Sequence, residues 1–175
     1  MKITDLLVEQ KDKRGSYAAV TFDSSTNDAI QQYIEDNDIP NPIPTSKLHT
    51  TVLYSRKYLP DYEPLGKITP SWKGIPTTLD VWESSGKLRD EPTTRCLVME
   101  YDCDKLKDRH NFLMKEHEAT YDFPSYKMHV TLSYDIGDLD IKDLPDIKDS
   151  IGNLKIVSEY GDDLDLDWSK TKGKK

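Results

Sequence analysis

Leu48-His49-Thr50-Thr51-Val52-Leu53 and Met128-His129-Val130-Thr131-Leu132 are two short apolar runs, each broken by a histidine and, two positions on, a threonine. Side chains along a strand alternate between its faces, so His and Thr at i and i+2 share one face, roughly 6.6 Å apart. The opposite face takes Leu48, Thr50 and Val52 in the first run, and Met128, Val130 and Leu132 in the second. Each run reads as a strand with an apolar back and a polar front. Two such fronts facing one another across a cleft would bring together two proton-transfer groups and two hydroxyl donors for a phosphate. A lone His-x-Thr arises easily by chance; two copies about 80 residues apart, in matching apolar surroundings, are a far stronger signal.

A chain of 175 residues suits one domain, spanning residues 1–175, or two intimately packed lobes. No stretch approaches the ~20 apolar residues that span a bilayer. The N-terminal run Met1-Lys-Ile-Thr-Asp-Leu-Leu-Val-Glu-Gln10 has too short an apolar region for a secretory signal, so the expected location is the cytoplasm, without a membrane partner. Cys96 and Cys103 fit no zinc or redox spacing and read as structural, Cys96 buried on a strand and Cys103 beside a helix start. A net charge of −8 excludes a broad grip on long DNA or RNA, which draws its affinity from many Lys and Arg contacts to phosphates. The one basic cluster, residues 170–175, is expected to be a disordered tail. A small ligand with two or three phosphates needs only a local group of donors, and the charge balance favours that.

Along the chain, Ser16–Phe22 reads as a strand, Asp23-Ser-Ser as a capping turn, and Thr26–Asp36 as an amphipathic helix burying Ile30, Tyr33 and Ile34. Pro40, Pro42 and Pro44 stiffen an extended link to the first motif strand, Leu48–Tyr54. Ile68–Pro70, Gly74–Glu83 and Thr94–Tyr101 are further strands, Asp104–Thr120 a helix with its apolar stripe on Leu106, Phe112 and Leu113, and Lys127–Tyr134 the second motif strand. Asp135–Ser150 reads as an acidic loop with room for one helical turn; it lacks the spacing of a calcium loop, and no metal site is expected anywhere. Asn153–Tyr160 is a last strand. Strand–helix–strand followed by more strands occurs twice, the pattern of an α+β architecture with one sheet per lobe.

The paired motifs resemble the two-histidine (2H) phosphoesterase superfamily. Together with the Ser16–Phe22 strand and the acidic, Trp-bearing tail, they resemble the phage anti-CBASS cyclic-oligonucleotide phosphodiesterases within it. The resemblance implies a two-lobed fold, with pseudo-two-fold-related sheets flanking a central cleft and helices outside. It implies hydrolysis of 3′–5′-linked cyclic di- and trinucleotide messengers made by bacterial defence systems, with no cofactor.

The residues themselves fit such a reaction. A ribose 2′-hydroxyl beside the scissile phosphate is a tethered nucleophile, so the protein need only move two protons and stabilise charge. One neutral histidine can act as base and one protonated histidine as acid, His49 and His129 in either order. Thr51 and Thr131 would donate to the nonbridging oxygens. Lys47 and Lys127, each two residues ahead of a motif histidine, face the same side by alternation and attract phosphate. Tyr17, Trp82 and Trp168 are candidates for stacking on bases, Tyr17 because the related family uses a Tyr at the start of this strand. Glu159 would orient the ligand or an imidazole, a role the resemblance attaches to a carboxylate in this region. Trp72 reads as packing, and His110 and His117, seven apart on a helix, as surface residues.

Two other readings share these residues. One is a 2H enzyme of RNA-end or 2′,3′-cyclic-phosphate processing, against which the acidic charge argues; the other is a sponge that holds a cyclic nucleotide without cutting it, which would not need both histidines and both threonines. Trp168, among Asp162, Asp163, Asp165 and Asp167, has a poor setting for a core residue and reads as a cover over the ligand. Replacing it by Ala is expected to weaken binding by about 1–3 kcal/mol, the usual worth of one stacked base, with little change in Tm. A large fall in Tm with affinity intact would make it a core residue instead.

Overall fold

The computed structural model describes residues 14–84 and 93–165. Trp168 and the basic tail lie outside the described residues. Six strands, β1 (Arg14–Phe22), β2 (Thr50–Ser55), β3 (Gly66–Ser84), β4 (Thr94–Asp102), β5 (His129–Ser133) and β6 (Leu154–Asp165), form an antiparallel sheet in the order β2-β1-β6-β3-β4-β5. Among the described residues, three α-helices accompany them: α1 (Ser24–Asp36), α2 (Asp104–Glu116) and the single turn α3 (Ile147–Ser150).

The sheet divides into two halves built alike. β1, α1 and β2 make one strand–helix–strand unit whose strands pair, and β4, α2 and β5 make the other. In each, the strand carrying the motif is the outer edge. The halves are joined through β3, whose first part pairs with β6 and whose second part pairs with β4. The two strands expected around Ile68 and Gly74 are thus one strand of 19 residues. Its ladders are irregular between Lys67 and Trp72 and between Pro76 and Thr78. Pro70 and Pro76, with no N–H to donate, fall at these irregular places, where a ladder bond is dispensable.

The core lies between one sheet face and the helices. Ala18, Val20 and Phe22 of β1, Leu97, Met99 and Tyr101 of β4, and Val130 and Leu132 of β5 meet Ile30 and Ile34 of α1 and Leu106 and Leu113 of α2. The helix starts differ. Asp23 caps α1, its carboxylate accepting the Thr26 N–H at 2.9 Å, as the turn residues predict. Cys103 opens α2 without a side-chain cap, and burial pushes its thiol up. α2 stops at Glu116, short of the expected Thr120, and turns Leu106, His110 and Leu113 inward while Phe112 stays exposed. His110 is therefore a core residue rather than a surface one. Its Nδ1–H donates to the Val52 carbonyl at 2.8 Å, and its ring stacks on Tyr126 at 3.9 Å, which satisfies an imidazole that solvent cannot reach.

The acidic stretch after β5 has a structural use for its aspartates. Asp140 and Asp146 each accept a main-chain N–H at the start of a short turn, and Asp135 accepts those of Arg95 and Gly137. Ile136, Ile147 and Ile151 pin the stretch to the core.

Glu159 ties three elements together. Its fully buried carboxylate takes two bonds from Arg109 of α2, at 2.9 and 3.0 Å, one from the Tyr62 hydroxyl at 2.7 Å and one from the Leu65 N–H at 3.3 Å. Removing one partner of such a pair leaves the other charge uncompensated in the interior. Arg109→Met is accordingly expected to cost about 3–5 kcal/mol in urea denaturation; a loss below ~1 kcal/mol, the worth of a surface pair, would contradict this.

Candidate active site

The sheet order places β2 and β5 at opposite ends, yet the two strands touch. Thr50 Oγ1 donates to the His129 carbonyl at 2.8 Å, and Ile43, in the lead-in to β2, donates its N–H to the Leu132 carbonyl at 2.9 Å. The sheet therefore curls until its two edges meet, and one residue of each polar front, His49 and Thr131, lines a common cleft.

Both motifs are built the same way. His49 Nδ1 bonds the Lys47 carbonyl at 2.7 Å and His129 Nδ1 bonds the Lys127 carbonyl at 2.9 Å, so each ring is fastened to the residue two before it. A carbonyl only accepts, which assigns a proton to Nδ1 and leaves the Nε2 lone pair of the neutral ring free. Each motif threonine is followed by a residue that the neighbouring strand does not match: Val52 in β2 and Leu132 in β5 stand at register shifts. A bulge there re-aims the strand just past the motif, a common device beside functional groups.

A cleft of about 510 Å³ is lined by Lys47, His49, Cys96, Thr131, Tyr134 and Tyr160, with Ile43 and Ser46 at its side. Next to it, Tyr17 and Thr51 hydrogen-bond through their hydroxyls at 3.0 Å, and burial pushes the Tyr17 phenol up to about 12. Trp82 leans on the His129 ring, centroids 4.2 Å apart, and its indole N–H donates to Asp80 at 3.1 Å. Burial holds His129 below the ordinary histidine value, and a positive charge on the nearby His49 would lower it further.

The sequence-derived candidates sort accordingly. His49, Thr131 and Lys47 line one cleft, and Tyr17, Thr51, Trp82 and His129 adjoin them. Lys127 lends its carbonyl to His129, but its side chain borders a separate groove of about 330 Å³ with Glu100, Asp104 and Lys107. Glu159 is not among the residues that meet here. It sits on the far face of β6, its carboxylate taken by Arg109, Tyr62 and Leu65, so neither ligand nor imidazole can use it.

Three cleft residues escaped the sequence reading. Tyr134 and Tyr160 are large aromatics left 52% and 42% exposed. Cys96, expected to be buried in the core, is only half-buried in the cleft and points its thiol at the Tyr134 carbonyl, 3.2 Å away. Alternation along Thr94–Asp102 could have found Cys96, since Leu97, Met99 and Tyr101 are the core positions. Among the described residues, no group of three His, Cys, Asp or Glu side chains is placed to hold a metal ion.

Because Trp82 covers one face of His129, truncating it should admit water and favour the imidazolium. In an NMR titration, Trp82→Ala is expected to move the His129 pKa upward, toward about 6.5; an unchanged or lower value would show that the indole does not set the ring's environment.

The chain is similar to known proteins in sequence and in fold. The family model for the anti-CBASS protein Acb1 matches residues 14–171. The chain is 39% identical over 170 residues to the Acb1 protein of Acinetobacter phage Ac42, covering 96% of this chain and 99% of that one. It is 33% identical over 168 residues to that of Enterobacteria phage T4, covering 93% and 97%. In fold it is similar to E. coli LigT in its apo form, with a TM-score of 0.52 at 14% identity over 85% of this chain and 86% of that one. On the match along nearly its whole length, the chain belongs to the Acb1 family of anti-CBASS proteins.

Proposed function

We propose that this protein is a metal-independent phosphodiesterase that opens 3′–5′-linked cyclic di- and trinucleotides in the host cytoplasm, and that the whole chain forms one domain for this purpose. The observation that carries the reading is the paired, carbonyl-fastened imidazoles of His49 and His129 beside one cleft. Two imidazole nitrogens, one to take a proton and one to give it, are what in-line attack by a 2′-hydroxyl requires.

In this mechanism His129 is the base. Its lowered affinity for a proton keeps Nε2 free near neutral pH. Nε2 takes the 2′-hydroxyl proton, O2′ forms its bond to phosphorus, and the bond from phosphorus to O5′ breaks. His49, as imidazolium, gives its proton to O5′. Thr51 and Thr131 donate to the nonbridging oxygens as charge builds there. The product carries a 2′,3′-cyclic phosphate, which water can open with the two histidines exchanging roles. Lys47 draws the phosphates into a protein whose net charge is −8. Tyr17, Trp82, Tyr134 and Tyr160 supply flat surfaces for the bases, in a manner that tolerates different bases. Support for a nucleotide ligand also comes from E. coli LigT, solved in complex with 3′-AMP.

The test is product analysis by mass spectrometry on cyclic dinucleotides of different linkage. A 3′–5′ bond is expected to be cut to the 2′,3′-cyclic phosphate or its opened form, with chelator present. A 2′–5′ bond, having no adjacent free 2′-hydroxyl, is expected to resist. His49→Ala and His129→Ala are each expected to lower kcat by about 10²–10⁴-fold while binding persists. Near wild-type rates in either variant, or activity restored to chelated protein by zinc or magnesium, would refute the mechanism. Intact ligand recovered from excess protein would mark sequestration instead.

A further inference from the structure

We propose that Thr50 and Tyr101 are positioning residues for the reaction at the paired motifs: a buried relay of hydroxyls from Tyr101 through Thr50 to the His129 main chain sets the distance between the two imidazoles. The inference rests on the catalytic reading of His49 and His129 given above.

β2 pairs with β1 and β5 with β4, so the ladders of the described residues do not fix where one motif strand lies against the other. Side chains do so instead. Thr50 is the middle residue of the first motif and points away from the cleft, where it is 1% exposed. The Tyr101 hydroxyl donates to Thr50 Oγ1 at 2.8 Å, and Thr50 Oγ1 donates onward to the carbonyl of His129 at 2.8 Å. Tyr101 also holds the residue before His129, its N–H bonding the Met128 carbonyl at 3.2 Å. The relay thus ends on the very residue whose ring must reach the scissile phosphate.

The direction of the relay is fixed by chemistry. The His129 carbonyl only accepts, so the Thr50 proton points to it and the Thr50 oxygen is left to accept from Tyr101. Burial pushes the Tyr101 phenol up, which keeps it protonated and a donor near neutral pH. The arrangement is also asymmetric. The middle residue of the second motif is Val130, a core residue with no hydroxyl, so one relay serves both motifs. A second phenol acts on the next residue of the first motif: Tyr126, stacked on His110, donates to the Thr51 carbonyl at 2.6 Å. Ties at the strand ends, from Ile43 to Leu132 and from Ser133 to Pro40, remain when the relay is removed. Loss of the relay should therefore alter spacing rather than fold.

The variants are Thr50→Val, Thr50→Ser, and the double change Thr50→Val with Tyr101→Phe. The double variant removes both buried hydroxyls together, leaving no stranded donor, so it keeps the fold most closely. With 3′–5′-linked cyclic GMP–AMP as substrate, Thr50→Val and the double variant are expected to lose about tenfold to hundredfold in kcat, the effect of misplacing a reacting group by ~1 Å. KM should stay within about twofold and Thr50→Ser should restore the rate, a pattern that general destabilisation does not give. In NMR, the His129 titration should move upward in the double variant as the ring gains water and distance from His49. A double variant with wild-type kcat and a wild-type His129 titration overturns the proposal. If the wild-type protein leaves the dinucleotide uncut, the functional reading fails on its own, and the relay is decided by the titration, which needs no turnover.

Discussion

The site depends on a contact between the two ends of one sheet. β2 and β5 share no ladder, and each belongs to one of the two motifs. They are held in register by hydrogen bonds from side chains and from the lead-in segment around Ile43, with the hydroxyl of Thr50 on the His129 carbonyl at their centre. Bringing the two edge strands together also covers part of each edge. It sets His129 at the start of β5 and His49 immediately before β2, each ring fastened to a main-chain carbonyl. Tyr101 and Tyr126 stand in the core behind the cleft and bond the motif strand from behind.

Electrostatics has been arranged locally rather than globally. An acidic protein repels a dinucleotide with two phosphates, but screening confines that repulsion to about 8 Å at physiological salt. Within that range, the proposed function gives the attraction to Lys47 and the hydroxyls of Thr51 and Thr131. The carbonyls of Lys47 and Lys127 orient the imidazoles without adding a competing carboxylate. A buried Glu beside either ring would hold it charged and spoil its use as a base; Glu159, buried on β6, is instead turned to Arg109 on the far face.

Much of this was legible from residues alone. The period-two pattern in Leu48–Leu53 and Met128–Leu132 gave both motif strands and their polar faces, and the cap at Asp23 and the stripe Ile30, Tyr33, Ile34 gave α1. What was not legible has definite causes. On β6, Leu154 and Ile156 face the core, and strict alternation would put Ser158 and Tyr160 there too. The register shift against β1 leaves Val157 unmatched, and the faces exchange: Glu159 turns to the core and Tyr160 to the cleft. A bulge of one residue has no sequence signature strong enough to reveal this. The burial of His110 was hidden because a histidine on a charged helix reads as solvated; only the waiting carbonyl of Val52 and the flat face of Tyr126 make room for it. Similarly, the union of two strands into β3 follows from pairing partners, β6 and β4, that local sequence does not name.

The most direct measurement of the central claim is a crystal structure with a cyclic dinucleotide made resistant to cleavage by phosphorothioate linkages. The account predicts one phosphate between the two motifs, with O2′ within about 2.6–3.2 Å of one Nε2 and O5′ within that range of the other, and Thr51 and Thr131 on its nonbridging atoms. A ligand that touches only one of the two imidazoles, or that lies in another groove with both rings free, would contradict it.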